Sequence, residues 1–318
     1  MPEMLHKYRA ITPQSIATVV SDTVYFADPA SFNDPLDCKP VIENDLPLDD
    51  LASVLTKLIE ERLRAEFQAA ARLISYSGEK TQQHIDRLGR RSAQGHVANI
   101  AETARYYSID SPDDGVNEAD SLTWELEREL LKRYDRGILS LAEKFDCPLM
   151  WSHYGDQHRG MCLGYSVPEQ MRDNVKRVSY GGDRSVTTSQ IKLMLEGDTR
   201  ARDDVDHAVL LRKANEWRYE REWRAFGSRG PAPSDLDLKE ITFGLRCKPE
   251  VIFAITESLR ERPRKVRFFK MAGSGRSFRL ERHEVDFSEV AQLPFSNQAV
   301  REAFEELKAY AIVPSSST

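Results

Sequence analysis

The segment Lys213-Ala-Asn-Glu-Trp-Arg-Tyr-Glu-Arg-Glu-Trp-Arg-Ala-Phe226 alternates large aromatic side chains with charged ones. A period of two places successive side chains on opposite faces of a strand, so the alternation from Trp217 onward predicts a β-strand. On such a strand Glu220 and Glu222 share one face and lie about 7 Å apart. Two carboxylates on one face repel each other unless a cation or a substrate hydroxyl lies opposite them. We therefore expect the chemistry of this protein at this segment.

The composition of the whole chain limits the classes of function. The chain has 318 residues and a formal net charge of −6, which argues against the broad basic surface of a dedicated nucleic-acid binder but is compatible with a local basic cleft. One basic run, from Arg260 to Lys270, is either a solvated face or a phosphate contact. The four cysteines form no Cys-x-x-Cys pair, so a thiolate zinc site is not expected. Without an apolar run of about 18 residues or a signal-peptide core, we expect a soluble cytoplasmic protein.

The predicted elements give an α+β fold with a mixed, largely antiparallel sheet. The sheet core is assigned to residues 1–45 and 135–318, and a helical insertion to residues 46–134, where apolar residues recur at helical spacing. Thr12-Pro13 is a helix start, and Ala299–Tyr310 is a predicted terminal helix. The predicted strands are residues 4–9, Thr23–Ala27, Ile138–Leu141, Met161–Val167, Lys176–Tyr180, Glu222–Phe226, Ile241–Phe243 and Val266–Lys270, and Val251–Ile255 is either a strand or a helix.

Two motifs outside the opening segment concentrate polar and aromatic side chains. Ser31-Phe-Asn-Asp-Pro-Leu-Asp37 is either a loop of turn-forming residues or a rigid rim that presents Asn33 or Asp34 to a ligand. The second motif is either a structural group of satisfied core side chains or an aromatic floor with polar edges, suited to a nucleobase or nicotinamide ring. Its side chains are Trp151, His153, Tyr154, His158 and Arg159. Its histidine spacing is not that of a helical zinc site, so no metal is expected.

These motifs resemble the uncharacterised bacterial family catalogued as domain of unknown function 2971. The resemblance rests on Leu5–Arg9, Val24–Asp37, Met150–Tyr154 with His158–Gly160, and Lys213–Arg224, which follow one another in the expected order. The resemblance implies a family and no particular activity. Because members are often found near mobile or defence genes, it also implies a role as a bacterial defence effector.

A more distant similarity is to ADP-ribosyltransferases, which share the order strand, Thr-Pro helix, strand with Tyr, and late Glu-x-Glu strand. It implies NAD as substrate, cleaved through a ribosyl cation of oxocarbenium character. Glu222 is then the catalytic carboxylate, Glu220 orients the acceptor, Tyr25 stacks on nicotinamide, and His6, Lys7 or Arg9 contacts the dinucleotide. The full set of expected ligand contacts is Lys7, Tyr8, Arg9, Tyr25, Asn33, Asp34, Trp151, His153, Tyr154, His158, Arg159, Lys213 and Arg224.

Three functions therefore remain open at the level of sequence. The first is an NAD-consuming ADP-ribosyltransferase or NAD glycohydrolase. The second is a non-catalytic module that senses a nucleotide or binds a partner. The third is a Mg²⁺-dependent nuclease in which Asp34, Asp37 and Glu222 supply hard oxygen ligands. The first two predict a small nucleotide ligand, and none of the three predicts a membrane partner.

Overall fold

The chain forms two compact units. The computed structural model describes residues 1–78, 80–110, 117–134 and 136–287, and it describes side chains in these ranges except at 107–110. The first unit comprises Met1–Thr23, Ala142–Pro168 and the described chain from Pro233 onward. The second comprises the described parts of Val24–Leu141 and Glu169–Ala232.

The elements follow in chain order. The strands are β1 Met4–Arg9, β2 Thr23–Phe26, β3 Val41–Glu43, β4 Gly137–Ala142, β5 Met161–Ser166, β6 Val175–Arg177, β7 Ser179–Tyr180, β8 Ser185–Thr187, β9 Arg212–Lys213, β10 Glu222–Gly227, β11 Gly230–Pro233, β12 Asp237–Phe243, β13 Arg267–Gly273 and β14 Leu280–Glu284. The helices are α1 Pro13–Val20, α2 Leu48–Leu73, α3 Thr81–Asp110, α4 Glu118–Arg133, α5 Pro148–His153, α6 Thr188–Glu196, α7 Thr199–Leu210 and α8 Pro249–Ser258.

The first unit contains a sheet with the strand order β14-β13-β12-β5-β1. Its pairs are antiparallel except for β12 with β13, which is parallel. The register aligns His6 with Gly164 and Gly164 with Glu240, so these residues form one row across three strands. On the opposite face Leu5 and Ile241 are fully buried. A sheet covered on both faces explains why β5 is apolar along most of its length.

The second unit combines strands β4-β10-β6 with the long helices. Helix α2 buries Leu51, Val54, Leu55, Leu58 and Ile59, which recur every three or four residues and therefore share one face. That face packs in a core with α4, α6 and α7. At about 25 cal/mol per Å² of apolar surface, each buried leucine contributes roughly 2 kcal/mol.

The fold class predicted from the sequence is confirmed: the structure is α+β with largely antiparallel strand pairs. The region Val251–Ile255, left open between strand and helix, lies in α8. Helices α6 and α7 were missed, and the predicted strand Lys176–Tyr180 is divided into β6 and β7. The predicted terminal helix at 299–310 lies outside the described residues.

A membrane-crossing helix requires both length and sustained apolar character. Among the described residues, no helix has both properties.

Candidate functional site

The Trp217–Phe226 segment is not one continuous strand. Residues Asn215–Glu220 form a 3₁₀ helix, Arg221 is left-handed with φ of 46°, and β10 begins only at Glu222. The prediction that Glu220 lies on this strand is therefore wrong. The left-handed residue turns the chain, so the period-two alternation describes the structure only from Glu222 onward. The chain turn nevertheless brings both carboxylates to the same cation.

That cation belongs to a cluster of five charged side chains in the second unit. The ammonium Nζ of Lys213 donates to Glu220 Oε2 at 2.5 Å and to Glu222 Oε2 at 3.2 Å. The guanidinium of Arg224 donates from Nε to Glu222 Oε1 at 2.8 Å and from Nη2 to Asp37 Oδ2 at 2.7 Å. Lys213 also lies 3.6 Å from Asp37. Three carboxylates thus share two cations.

The five side chains differ in the fraction of their surface that is exposed to solvent. The side chain of Arg224 has no exposed surface and that of Asp37 is 2% exposed, whereas Lys213 is 8% exposed. Burying charges is costly unless each is paired, and removing one partner of such a pair costs about 3–5 kcal/mol. Arg224 meets this requirement because Nη1 also donates to the backbone oxygen of Leu210 at 2.7 Å. Lys213 is the most exposed member of the cluster.

Glu222 is held in its ionised form. Burial alone raises the pKa of this carboxyl group, but Arg224 and Lys213 outweigh burial, so the pKa falls from 4.5 to about 2. A hydrogen bond from Ser140 lowers it further. Burial lowers the pKa of Lys213, and the charges of Glu222 and Glu220 reverse this and hold it above its ordinary value. At neutral pH the site therefore contains a buried carboxylate beside a charged ammonium.

Aromatic side chains adjoin the cluster. The Lys213 ammonium lies 5.1 Å from the centroid of the Trp217 ring, and the Trp217 indole N–H donates to Asp34 Oδ2 at 2.9 Å. The backbone N–H of Glu222 donates to the hydroxyl of Tyr180 at 2.6 Å. Asp34, one of the predicted ligand contacts, thus fixes the ring rather than facing open solvent.

Two site residues were not anticipated as part of this cluster. The sequence predicts Asp37 only as a metal ligand, although its place at the end of the Phe-Asn-Asp-Pro-Leu-Asp motif is a usable signal. Tyr180 had no signal, because a single tyrosine 42 positions from its partner shows no pattern in one sequence.

The three carboxylates proposed for Mg²⁺ already have hydrogen-bond donors. Asp37 and Glu222 share Arg224, and Asp34 accepts from Trp217 and from the backbone N–H of Leu36. In the described ranges, no group of three or more His, Cys, Asp or Glu side chains has an arrangement that could hold a metal ion.

Other predicted residues of the second unit lie on its surface. Tyr25 on β2 is 37% exposed, and Asn33 is also exposed. Among the described residues, no hydrogen bond, ion pair or ring contact joins Tyr25 to the charged cluster. The stacking of Tyr25 on nicotinamide therefore stays a prediction.

The remaining predicted contacts belong to the first unit. The ring of Trp151 is fully buried, stacks on His158 with centroids 6.1 Å apart, and meets the edge of Tyr8 at 5.1 Å. Tyr8 is itself buried, and its hydroxyl donates to the backbone oxygen of Lys144 at 2.8 Å. The predicted aromatic floor is therefore an internal stack, with His158 as its outer layer. The other members of the group are half-buried (Lys7, Arg9, Tyr154) or exposed (His153, Arg159).

The loop that presents His158 has an unusual backbone. Asp156, Gln157 and His158 are consecutive left-handed residues, with φ of 48°, 53° and 70°. Such conformations cost about 1–3 kcal/mol each and persist only where surrounding packing enforces them. The backbone of Gly244 packs closely against this loop: a Cβ at position 244 would lie 2.2 Å from the backbone oxygen of His158, so only glycine allows the contact. Burial lowers the pKa of the His158 imidazole, and its Nδ1 is buried without a hydrogen-bond partner among the described residues.

A second buried polar cluster lies in the first unit and was not predicted. Arg282 pairs with Glu240, and its Cζ lies 3.9 Å from the centroid of the Phe145 ring and 4.2 Å from that of Phe269. His6 meets the edge of Phe145, with ring centroids 5.6 Å apart. Burial lowers the pKa of His6 to about 4, despite the opposing charge of Glu240.

Comparison with known proteins gives one match. No curated protein and no solved structure matches the chain. The comparisons therefore do not support the resemblance to ADP-ribosyltransferases. A family model described as "Protein of unknown function (DUF2971)" matches residues 150–225, a range that contains the His158 loop and the Lys213, Glu220, Glu222 and Arg224 side chains. This match confirms the resemblance of the chain to the DUF2971 family.

Proposed function

We propose that the protein cleaves the bond between nicotinamide and ribose in NAD, and transfers ADP-ribose to an acceptor or to water. The convergence of Glu220 and Glu222 on the single ammonium of Lys213 carries this proposal. The two carboxylates lie where a positive charge is already stabilised. A bacterial defence effector that acts in the cytoplasm is the setting that we propose for this activity.

The reaction creates positive charge on the ribose. The bond from C1′ to the nicotinamide nitrogen breaks, its electron pair neutralises the pyridinium, and C1′ acquires oxocarbenium character. An anion near C1′ stabilises this state, and its effect is large where water is excluded. Glu222 meets both requirements, because it is buried and ionised at neutral pH. Water or an acceptor hydroxyl then attacks C1′ and releases its proton to solvent, and Glu220 orients the acceptor when a hydroxyl attacks.

The reaction requires Lys213 to move. Its ammonium occupies the position next to both carboxylates that the ribosyl cation needs, and it is the most exposed member of the cluster. The adjacent Trp217 ring provides an alternative surface for the ammonium. In this proposal the positively charged nicotinamide ring of NAD replaces the ammonium beside Glu222. Tyr25 stacking on nicotinamide remains part of the proposal. The contact of Lys7 or Arg9 with the dinucleotide stays a prediction from the sequence alone, because both residues belong to the first unit.

Release of nicotinamide from NAD tests the proposal. Purified protein is incubated with NAD and cell extract, and free nicotinamide is measured. We expect Glu222→Gln to reduce the rate about a hundredfold or more, because the anion that faces the transition state is lost. Glu220→Gln should lower transfer to an acceptor more than hydrolysis. Glu216→Gln, at an exposed position of the same 3₁₀ helix, is the matched control. Intact NAD with the folded wild type would remove most of the support.

A second candidate is a non-catalytic module that senses a nucleotide. One observation favours it: Arg224 and Lys213 already donate to both oxygens of Glu222, which suits a structural ion pair as well as a catalytic group. The two candidates give different results in one experiment. A nucleotide-induced rise in melting temperature without turnover would support the sensor.

A further inference from the structure

The hairpin of β13 and β14 lies in the most basic part of the chain. Residues 260–282 contain nine basic and two acidic side chains, although the net charge of the protein is −6. A concentration of positive charge on an acidic protein indicates a local site for a polyanion.

Part of this positive charge is neutralised by ion pairs within the protein. Four arginines have acidic partners: Arg260 with Glu257, Arg262 with Asp22, Arg264 with Asp237, and Arg282 with Glu240. The other five basic residues have no acidic partner among the described residues. They are Lys265, Arg267, Lys270, Arg276 and Arg279. Two of these five, Arg276 and Arg279, are exposed in the loop that joins the two strands.

The same loop exposes an aromatic ring. Phe278 is 100% exposed, and it lies between Arg276 and Arg279 in the sequence. We call Arg276, Phe278 and Arg279 the hairpin tip. No acidic residue occurs from Gly273 to Leu280, so the tip is cationic throughout.

The loop has its own hydrogen bonds, which hold the tip in place. The backbone N–H of Ser274 donates to the oxygen of Arg279 at 3.0 Å, and that of Ser277 donates to the oxygen of Ser274 at 3.3 Å. The N–H of Arg279 donates to the Ser277 hydroxyl at 3.3 Å. An ordered loop loses little conformational entropy on binding, so an exposed ring there is available to a partner.

We propose that the hairpin tip binds single-stranded nucleic acid. Phe278 offers both faces to an unpaired base, and the guanidinium groups of Arg276 and Arg279 suit the phosphates on either side. The remaining basic residues of β13 extend the positive potential along the hairpin. A lipid surface fits less well, because a single ring among glycine and serine residues buries little apolar area. This inference is independent of the proposed NAD chemistry.

Fluorescence anisotropy with a labelled oligothymidine of about 20 nucleotides tests the inference. We expect Phe278→Ala to weaken binding roughly 5- to 150-fold, the range for loss of one stacked base. Because Phe278 is fully exposed, this variant should fold normally. Replacing Arg276 and Arg279 by Gln should reduce the slope of log affinity against log salt by about 0.7 for each arginine. Tyr76→Ala, at another exposed aromatic, and Arg91→Gln, at an exposed arginine of α3, are matched controls.

Four results would overturn the inference. The first is no binding at the lowest salt concentration. The second is equal binding by Phe278→Ala and wild type. The third is equal affinity for the duplex of the same sequence, since a paired base cannot stack on the ring. The fourth is binding to vesicles of anionic phospholipid in place of DNA, with the same dependence on Phe278.

Discussion

At the scale of single residues, a sequence shows which groups are present but rarely how they are paired. The Glu-x-Glu pattern predicts a cation or a substrate hydroxyl opposite the carboxylates, and Lys213 and Arg224 are cations that lie there. The strand assigned to Glu220 was wrong because Arg221 adopts a left-handed conformation. An arginine does not predict a left-handed backbone conformation, because glycine and asparagine are the residues that usually adopt it.

Arg224 should be the most important residue of the cluster for stability. We expect Arg224→Met to lower the free energy of unfolding by about 3–5 kcal/mol, because Asp37 and Glu222 are left buried without their shared cation. Lys213→Met should cost less, because the Lys213 side chain keeps 8% of its surface exposed whereas that of Arg224 keeps none. Urea unfolding of each variant measures these differences.

Arg218→Met is the matched control for this experiment. Arg218 is exposed on the adjacent 3₁₀ helix, so its loss should change the free energy of unfolding by less than about 0.5 kcal/mol. Equal effects of Arg224→Met and Arg218→Met would show that the buried ion pairs do not stabilise the second unit.

At the scale of elements, hydrophobic periodicity was the most reliable signal. It identified α2, whose apolar face is continuous over several turns. Helices α6 and α7 were missed because they are short and carry many polar residues. Their end signals were nevertheless present, since Thr187 and Gln190 form a capping box and Asp198 caps α7. Capping residues are thus the signal that remains when periodicity is weak.

Two glycines in helical segments should respond oppositely to alanine. Gly197 ends α6 with φ of 98°, which an alanine adopts only with strain. We expect Gly197→Ala to destabilise the protein by about 1 kcal/mol. Gly95 lies in the middle of α3 with open space where a Cβ would be, so Gly95→Ala should stabilise by about 0.5–1 kcal/mol.

Thermal melting of the two variants beside wild type checks the prediction. The melting temperature should fall for Gly197→Ala and rise for Gly95→Ala. A fall for both would mean that α3 requires the flexibility of Gly95, contrary to the structure.

At the scale of the whole molecule, each unit has its own buried charged cluster. The second unit holds the Lys213–Arg224 network, which the sequence partly indicated. The first unit holds Arg282, Glu240 and His6, which no local pattern indicated because they come from three strands far apart in the sequence. Register brings them together: Gly164 between His6 and Glu240 has no side chain, and a Cβ there would lie 2.5 Å from Glu240 Cγ.

These clusters make the two units sensitive to different ranges of acid pH. In the first unit, burial lowers the pKa of His6 from 6.5 to about 4. Between these values the unfolded chain binds a proton that the folded chain does not, so stability falls as pH is lowered from 6.5 to 4. Over this pH range the shift in the pKa of His6 lowers the free energy of unfolding by about 3 kcal/mol. In the second unit, the lowered pKa of Glu222 gives stability that is complete above pH 4.5 and is lost toward pH 2.

Hydrogen exchange at pH 6.5 and pH 5, corrected for the intrinsic exchange rate, should therefore show larger losses of protection in the first unit. Burial also lowers the pKa of His207 in the second unit, but this side chain is only half-buried, so its effect should be smaller. The variant His6→Gln has no imidazole to titrate, and we expect it to remove most of the pH dependence of β1, β5 and β12. If these strands lost equal protection with histidine and glutamine at position 6, another group would be responsible for the acid sensitivity.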